Sequence, residues 1–318
     1  MAKGLIIGGV TALALAGAAV GYQSWMHQQV ESKIDALMLK IEQNPEIVDV
    51  AYEDLNVSFT GDIELLNISL LTSESDDPVV FRSLRVEDYD IQHEIPHYVN
   101  VALQGLKLPD DFIAELQQDQ GAFSDYLKSI GVEDTLPLDA KFSYVFDEEN
   151  SQTQTTNLEI GLDKVMSYKL DWVSKDIPLE ALYSDPSNEV EQATALAAMM
   201  KGSFPKLAMS ISDQGGLPVF LQEVADEREQ SVQELNSNWL AMANMQSQMM
   251  LPPAVQPAAS DAISQVAVFL DGGKSLSISF EPQHDGSIES LSPLLMQAYM
   301  SGDYQTILDL LNLKVLAI

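Results

Sequence analysis

Long parts of this chain alternate apolar and polar residues with a period of two. Val48, Val50 and Tyr52 alternate with Asp49, Ala51 and Glu53, and Leu55, Val57 and Phe59 alternate with Asn56 and Ser58. Successive side chains of a strand point to opposite faces, so this pattern predicts sheet with one apolar face rather than helix. The phase slips between Tyr52 and Leu55, as at a bulge or bend. Thr60-Gly61-Asp62 reads as a turn, Ile63 to Leu71 as a return strand, and Asp76-Asp77-Pro78 as another turn. Val79 to Gln92 and Tyr98 to Leu108 continue the run of antiparallel strands. A second group follows: Phe142, Tyr144 and Phe146 before the turn Asp147 to Asn150, then Leu158, Ile160 and Leu162, then Tyr168, Leu170 and Trp172.

Helical spacing fills the intervals. Pro109-Asp110-Asp111 opens a helical stretch with Phe112, Ile113, Leu116, Phe123, Tyr126, Leu127 and Ile130 on its apolar face. Glu189 to Met200 reads as helix and Lys206 to Ser212 as strand. Gly215-Gly216 and Pro218 open a long helix whose face runs Leu217, Leu221, Val224, Val232, Leu235, Trp239, Met242, Met245 and Met249. Pro252-Pro253 ends it. A shorter helix to Leu270, a strand from Lys274 to Phe280, a helix from about Leu291 to Leu311 and a last strand from Leu313 complete the chain.

The first residues are of another kind. Lys3 precedes Gly4 to Tyr22, an uncharged run including Leu5, Ile6, Ile7, Val10, Leu13, Leu15 and Val20. About 20 apolar residues cross roughly 30 Å of hydrocarbon. Ala14-Leu15-Ala16 and Ala16-Gly17-Ala18 also fit a signal-peptidase site. The run flows into a helical pattern, Trp25, Val30, Ile34, Leu37 and Ile41, and Tyr22 and Trp25 sit where interfacial aromatics belong, which favours an uncleaved anchor over a removed signal. Lys3 on the near side, with Lys33 the next basic residue, places the amino terminus in the cytoplasm. The expected divisions are an anchor over 1–22, a tether helix over 23–46, a β-rich ectodomain over 47–214 and a mainly helical region over 215–318. The expected fold class is α+β, a transmembrane helix followed by curved antiparallel sheet packed with helices.

Charge narrows the partners. Lys and Arg total 16 against 48 Asp and Glu, a formal charge of −32 spread along 318 residues. Such a surface repels phosphate, so nucleic acid is excluded as a partner. There are no cysteines, which removes disulfides, thiol catalysis and cysteine metal sites. With 46% hydrophobic residues the chain has ample material for a core.

Chemical motifs are sparse. His93-Glu94-Ile95-Pro96-His97 spaces two histidines as a metal pair on a helix would be, but Pro96 lies inside it and both flanks read as strand. Two histidines without a third ligand make an incomplete site, so no metal is expected. Asp271-Gly272-Gly273-Lys274-Ser275 has Val268 where a phosphate loop needs its first glycine, and strand follows. Carboxylate pairs are too common here to mark acid–base catalysis, and no nucleophile elbow is present. No enzyme activity and no cofactor are expected.

Several stretches are similar to proteobacterial envelope proteins of the YdgA-like and AsmA-like kind: Gly21-Tyr22 to Trp25 after the anchor, Tyr52 to Ile68 around Gly61, Leu127 to Gly131 before the Phe142–Phe146 strand, and Phe269 to Phe280 with Leu310 to Val315. The resemblance implies a single-pass protein of the bacterial inner membrane with its bulk in the periplasm. It also implies a β-groove that holds lipid or another apolar ligand, as relatives of the AsmA kind are thought to carry lipid. Leu55, Val57, Phe59, Ile63 and Leu65 are the expected ligand face. The alternative is a structural or assembly factor binding other envelope proteins, with Trp239, Met242, Met245 and Met249 as a partner face or as core.

Overall fold

The computed structural model describes residues 47–57, 62–73, 78–90, 93, 96–107, 114, 126, 135–150, 152–178, 189–282 and 286–318. The expected anchor and tether helix lie outside these residues, as do Phe59 and nearly all of the helical stretch over 109–130. Among the described residues, no helix is long and apolar enough to cross a membrane. Strands pair antiparallel and helices accompany them, so the fold is α+β.

The chain divides into two compact units. One takes the described residues up to Val145 with Leu158–Asp163, and the other takes Phe146–Asn157 with Lys164–Ile318. The expected boundary at 214 falls inside the second unit. A cut there would separate Ser203–Asp213 from Ser275–Phe280, strands that pair with each other along their length.

The first unit is built on β1 (Ile47–Ala51), β2 (Asp54–Val57), β3 (Ile63–Thr72), β4 (Val79–Tyr89), β5 (Tyr98–Lys107) and β6 (Thr135–Asp147). β1 and β2 both pair with β3, and β3, β4, β5 and β6 then pair in chain order. The phase slip read between Tyr52 and Leu55 coincides with the break between β1 and β2, and it does not stop at one strand. On β3 the buried positions change from Ile63 and Leu65 to Ile68 and Leu70, and on β4 from Leu84 and Val86 to Phe81. Asn67, at the change on β3, has φ of 49° and donates through Nδ2 to Glu53 Oε2 at 2.7 Å. On β5 the change falls at Gly105, with φ of 66°, where the pairing with β6 also shifts between Gln104 and Leu106. A Cβ on Gly105 would lie 2.9 Å from Arg82 Cβ, so both space and φ require glycine there. A row of paired irregularities therefore crosses the sheet from β1–β2 to β5. It keeps the apolar side chains on one face while the strands bend. That face is dry: Leu55, Leu65, Leu84, Leu103 and Ala140 stand opposite one another and are all buried.

The second unit contains β8 (Met166–Lys175), which follows β7 (Thr153–Leu162), then α1 (Glu189–Lys201), β9 (Ser203–Asp213), α2 (Gly216–Glu227), α3 (Val232–Met250), α4 (Gln256–Leu270), β10 (Ser275–Phe280), α5 (Ile288–Ser301), α6 (Tyr304–Leu311) and β11 (Leu313–Ala317). β8, β9, β10 and β11 pair in that order. α4 packs on α3 and on β11.

The single long helix expected from Leu217 to Met249 is two helices. Arg228 and Glu229 end α2, with Glu229 at φ of 52°. Ser231 and Glu234 then form a reciprocal capping box that starts α3. Gly302, at φ of 71°, likewise splits the expected helix over 291–311 into α5 and α6.

Candidate apolar ligand site

The site lies within the second unit, where the alternation of three strands meets one helical stripe. The register sets Trp172 of β8 beside Leu207 of β9, and Leu207 beside Phe280 of β10. Two rungs further along each strand, Leu170, Met209 and Ile278 align, and then Tyr168, Ile211 and Leu276. Period two puts all nine on one face. α5 covers one end of that face with Ile288, Leu291, Leu295, Met296 and Tyr299, which fall on one side of a helix with a 3.6-residue repeat.

The approach of α5 is fixed at its start. Phe204 donates its backbone N–H to Gly286 O at 3.1 Å, and Ser203 and Ser287 form an isolated antiparallel bridge. Gly286 has φ of 75°, and a Cβ there would come within 2.9 Å of Phe204 O. Ser287 caps α5 by accepting from Ser290 N–H at 3.2 Å. α5 is therefore tied to the beginning of β9 while its stripe continues over the sheet.

Between stripe and strands is a cleft of about 730 Å³, lined by Trp172, Phe204, Leu207 and Phe280 below and by the α5 stripe and Leu311 around it. This is in the range of about 300–1,000 Å³ in which small apolar ligands are held. Among the described residues, no carboxylate, lysine, arginine or histidine lines it. The polar side-chain atoms available are the hydroxyls of Ser292 and Tyr299 and the indole N–H of Trp172. Beyond the cleft the same face stays partly open to solvent, with Met209 45%, Tyr168 44% and Ile278 38% exposed. A second cavity of about 740 Å³ lies among α4, α6 and the β10–β11 pair. Asp261, Asp309 and Lys314 line it beside apolar residues.

The expected ligand face behaves differently. Leu55, Ile63 and Leu65 are buried in the first unit's core, Val57 is half-buried, and Phe59 lies outside the described residues. Alternation cannot distinguish a face covered by its own protein from one left for a ligand. Leu55, Ile63 and Leu65 therefore present no open face, and the open apolar cleft lies among residues of the second unit. The expected partner face on α3 also splits. Leu235 is fully buried and Trp239 half-buried, whereas Met242, Met245 and Met249 are exposed, because the covered stripe of α3 continues through Ala243 and Ser247 and the three methionines lie off it. The cleft residues had a signal in the alternation of Tyr168, Leu170 and Trp172. Their alignment with Leu207 and Phe280 depends on a register set by pairing across the chain.

The two histidines of the sequence motif do acquire a third group. Asp90, at the end of β4, is buried, and its Oδ2 is hydrogen-bonded to His93 Nδ1 and accepts from the His97 backbone N–H at 3.0 Å. The two histidines therefore have a buried carboxylate beside them, from Asp90, three residues before His93.

No characterised protein and no solved structure matches this chain. A family model described as "Uncharacterized protein" matches residues 159–318, a segment that contains every residue lining the cleft and none of Asp90, His93 and His97. Spanning half of the chain, that match shows that the protein belongs to this family.

Proposed function

We propose that this is a non-catalytic, membrane-anchored envelope protein that holds a lipid or its acyl chain in the cleft of the second unit. The observation that carries the reading is the uncharged cleft of about 730 Å³, continuous with an apolar sheet face that its own helices leave partly exposed. Burying that face on a hydrocarbon chain would yield about 25 cal/mol for each Å² of apolar surface removed from water. The hydroxyls of Ser292 and Tyr299 have no acid or base beside them in the lining, which supports holding rather than chemistry. The uncharged run from Gly4 to Tyr22 supports the anchor, and the charge asymmetry around it supports a periplasmic bulk.

Trp172 lines the cleft and serves as the reporter. In a variant with Trp25 and Trp239 replaced by phenylalanine, a brominated fatty acid should quench Trp172 saturably. Leu207→Asp, at a residue already 44% exposed, should abolish the quenching with the far-UV spectrum unchanged. Absence of saturable quenching in the parent would refute the reading.

A second reading, docking of another envelope protein, draws on the exposed Met242, Met245, Met249 and Met250 of α3. Crosslinking from Met245→Cys in intact cells would capture a discrete partner if it holds.

A further inference from the structure

We propose that Asp90, His93 and His97 form a binding site for a divalent transition-metal ion of the zinc type at the tip of the β4–β5 hairpin. The site lies in the first unit and does not depend on the ligand cleft.

The ligand set is formed by the fold rather than by helical spacing. The hairpin closes where Asp90 donates its backbone N–H to Tyr98 O at 3.0 Å. Tyr144 on β6, itself buried, reaches up to donate its hydroxyl to Pro96 O at 2.5 Å. The loop is thus pinned from below, one residue before His97. Within it the Asp90 carboxylate is only 3% exposed and is oriented by the His97 backbone N–H. One carboxylate oxygen and one ring nitrogen from each histidine lie within 4.8 Å of one another. Two imidazoles and one carboxylate are a donor set that suits zinc and its neighbours, and such three-ligand sites leave positions for water.

The rings show what must change when an ion enters. His93 and His97 are stacked, with centroids 3.7 Å apart and planes 8° from parallel. Imidazole lone pairs lie in the ring plane, so a single ion about 2.0–2.1 Å from each nitrogen cannot serve two parallel rings. One ring must turn about its outer torsion, which is a broad and soft one. His93 is about half-exposed, at 48%, and has room to do so. Metal entry therefore exchanges the Asp90–His93 hydrogen bond and the ring stack for bonds to the ion. The Asp90–His93 hydrogen bond is the competing use of the same groups, and zinc would have to displace it.

The test must separate this site from the many surface carboxylates, which bind divalent ions weakly through oxygen alone. Full-length, detergent-purified protein stripped with EDTA is titrated with Zn²⁺ while the imidazole Cε1–H resonances of the four histidines are followed by NMR. His93 and His97 should shift together and saturate at one ion per chain, and Mg²⁺ should leave them unmoved. The variant His93→Gln/His97→Gln should take up one Zn²⁺ fewer per chain in competition with a chromophoric chelator. Asp90→Asn should weaken uptake about tenfold or more. Unmoved His93 and His97 resonances at saturating Zn²⁺ would overturn the proposal. So would equal uptake by the double variant. The wild-type titration stands by itself if a variant fails to fold.

Discussion

The two units treat the same sequence pattern in opposite ways. Both present sheets in which apolar residues alternate with polar ones. In the first unit the aligned side chains Leu55, Leu65, Leu84, Leu103 and Ala140 are buried, and among the described residues the large apolar side chains left exposed there are Val48 and the cross-strand pair Tyr98 and Val145. In the second unit the aligned residues Leu207, Met209 and Ile278 remain more than a third exposed, and α5 adds Met296, Tyr299 and Met300 above them. A few exposed apolar residues need no explanation, but an extended exposed face does. The difference teaches that alternation specifies a sheet with an apolar side and not what that side is for. The first unit uses it for its own core, and the second leaves it at an open cleft.

The sharpest way to break this comparison is to exchange the substitutions. Leu65→Ala should destabilise the first unit by about 2–5 kcal/mol, since a buried leucine loses both its transfer energy and its packing. Leu207→Ala should cost well under half as much in the second. Denaturant unfolding of each variant reads the difference, and equal losses would mean that the two faces are equally covered.

Next in size is the row of irregularities that bends the first sheet. Gly105→Ala should cost about 1–2 kcal/mol from backbone strain at positive φ, with more from the approach to Arg82. Thermal unfolding should show it. Gly286→Ala is the counterpart in the second unit. It forces Phe204 and the start of α5 apart, so ligand affinity should fall more than stability does.

Smaller still is the cap that divides α2 from α3. Ser231→Ala should destabilise the second unit by about 1 kcal/mol by removing the acceptor for Glu234 N–H. The Glu234 carboxylate accepts from the Ser231 backbone N–H and, secondarily, from its hydroxyl, and these hold it below the ordinary glutamate range. A folded-state value below the unfolded one adds stability that is complete above the ordinary range and is lost as pH falls through the lowered value. Acid unfolding of wild type should therefore be slightly steeper than that of Glu234→Gln. The group is exposed, so added salt should narrow the gap.

Much of this fold was legible. Local alternation located the strands, and the slip between Tyr52 and Leu55 announced a distortion that Asn67 and Gly105 carry onward. The Ser231-x-x-Glu234 box was equally present in the sequence, although the helical stripe on either side of it read as one continuous helix. What could not be read was pairing at a distance. Trp172, Leu207 and Phe280 lie on three strands separated by α1, α2, α3 and α4, and only their register makes them a floor. Asp90 was hidden for a related reason: a turn, rather than a helical repeat, brings it to His93 and His97.

The central claim is that the second unit, and not the first, holds an apolar ligand. Native mass spectrometry of the full-length protein released from mild detergent tests it most directly. Wild type should carry a lipid mass that Leu207→Asp loses and that Gly105→Ala, which perturbs only the first unit, keeps. Lipid retained by Leu207→Asp, or a wild-type protein that carries none, would contradict the account.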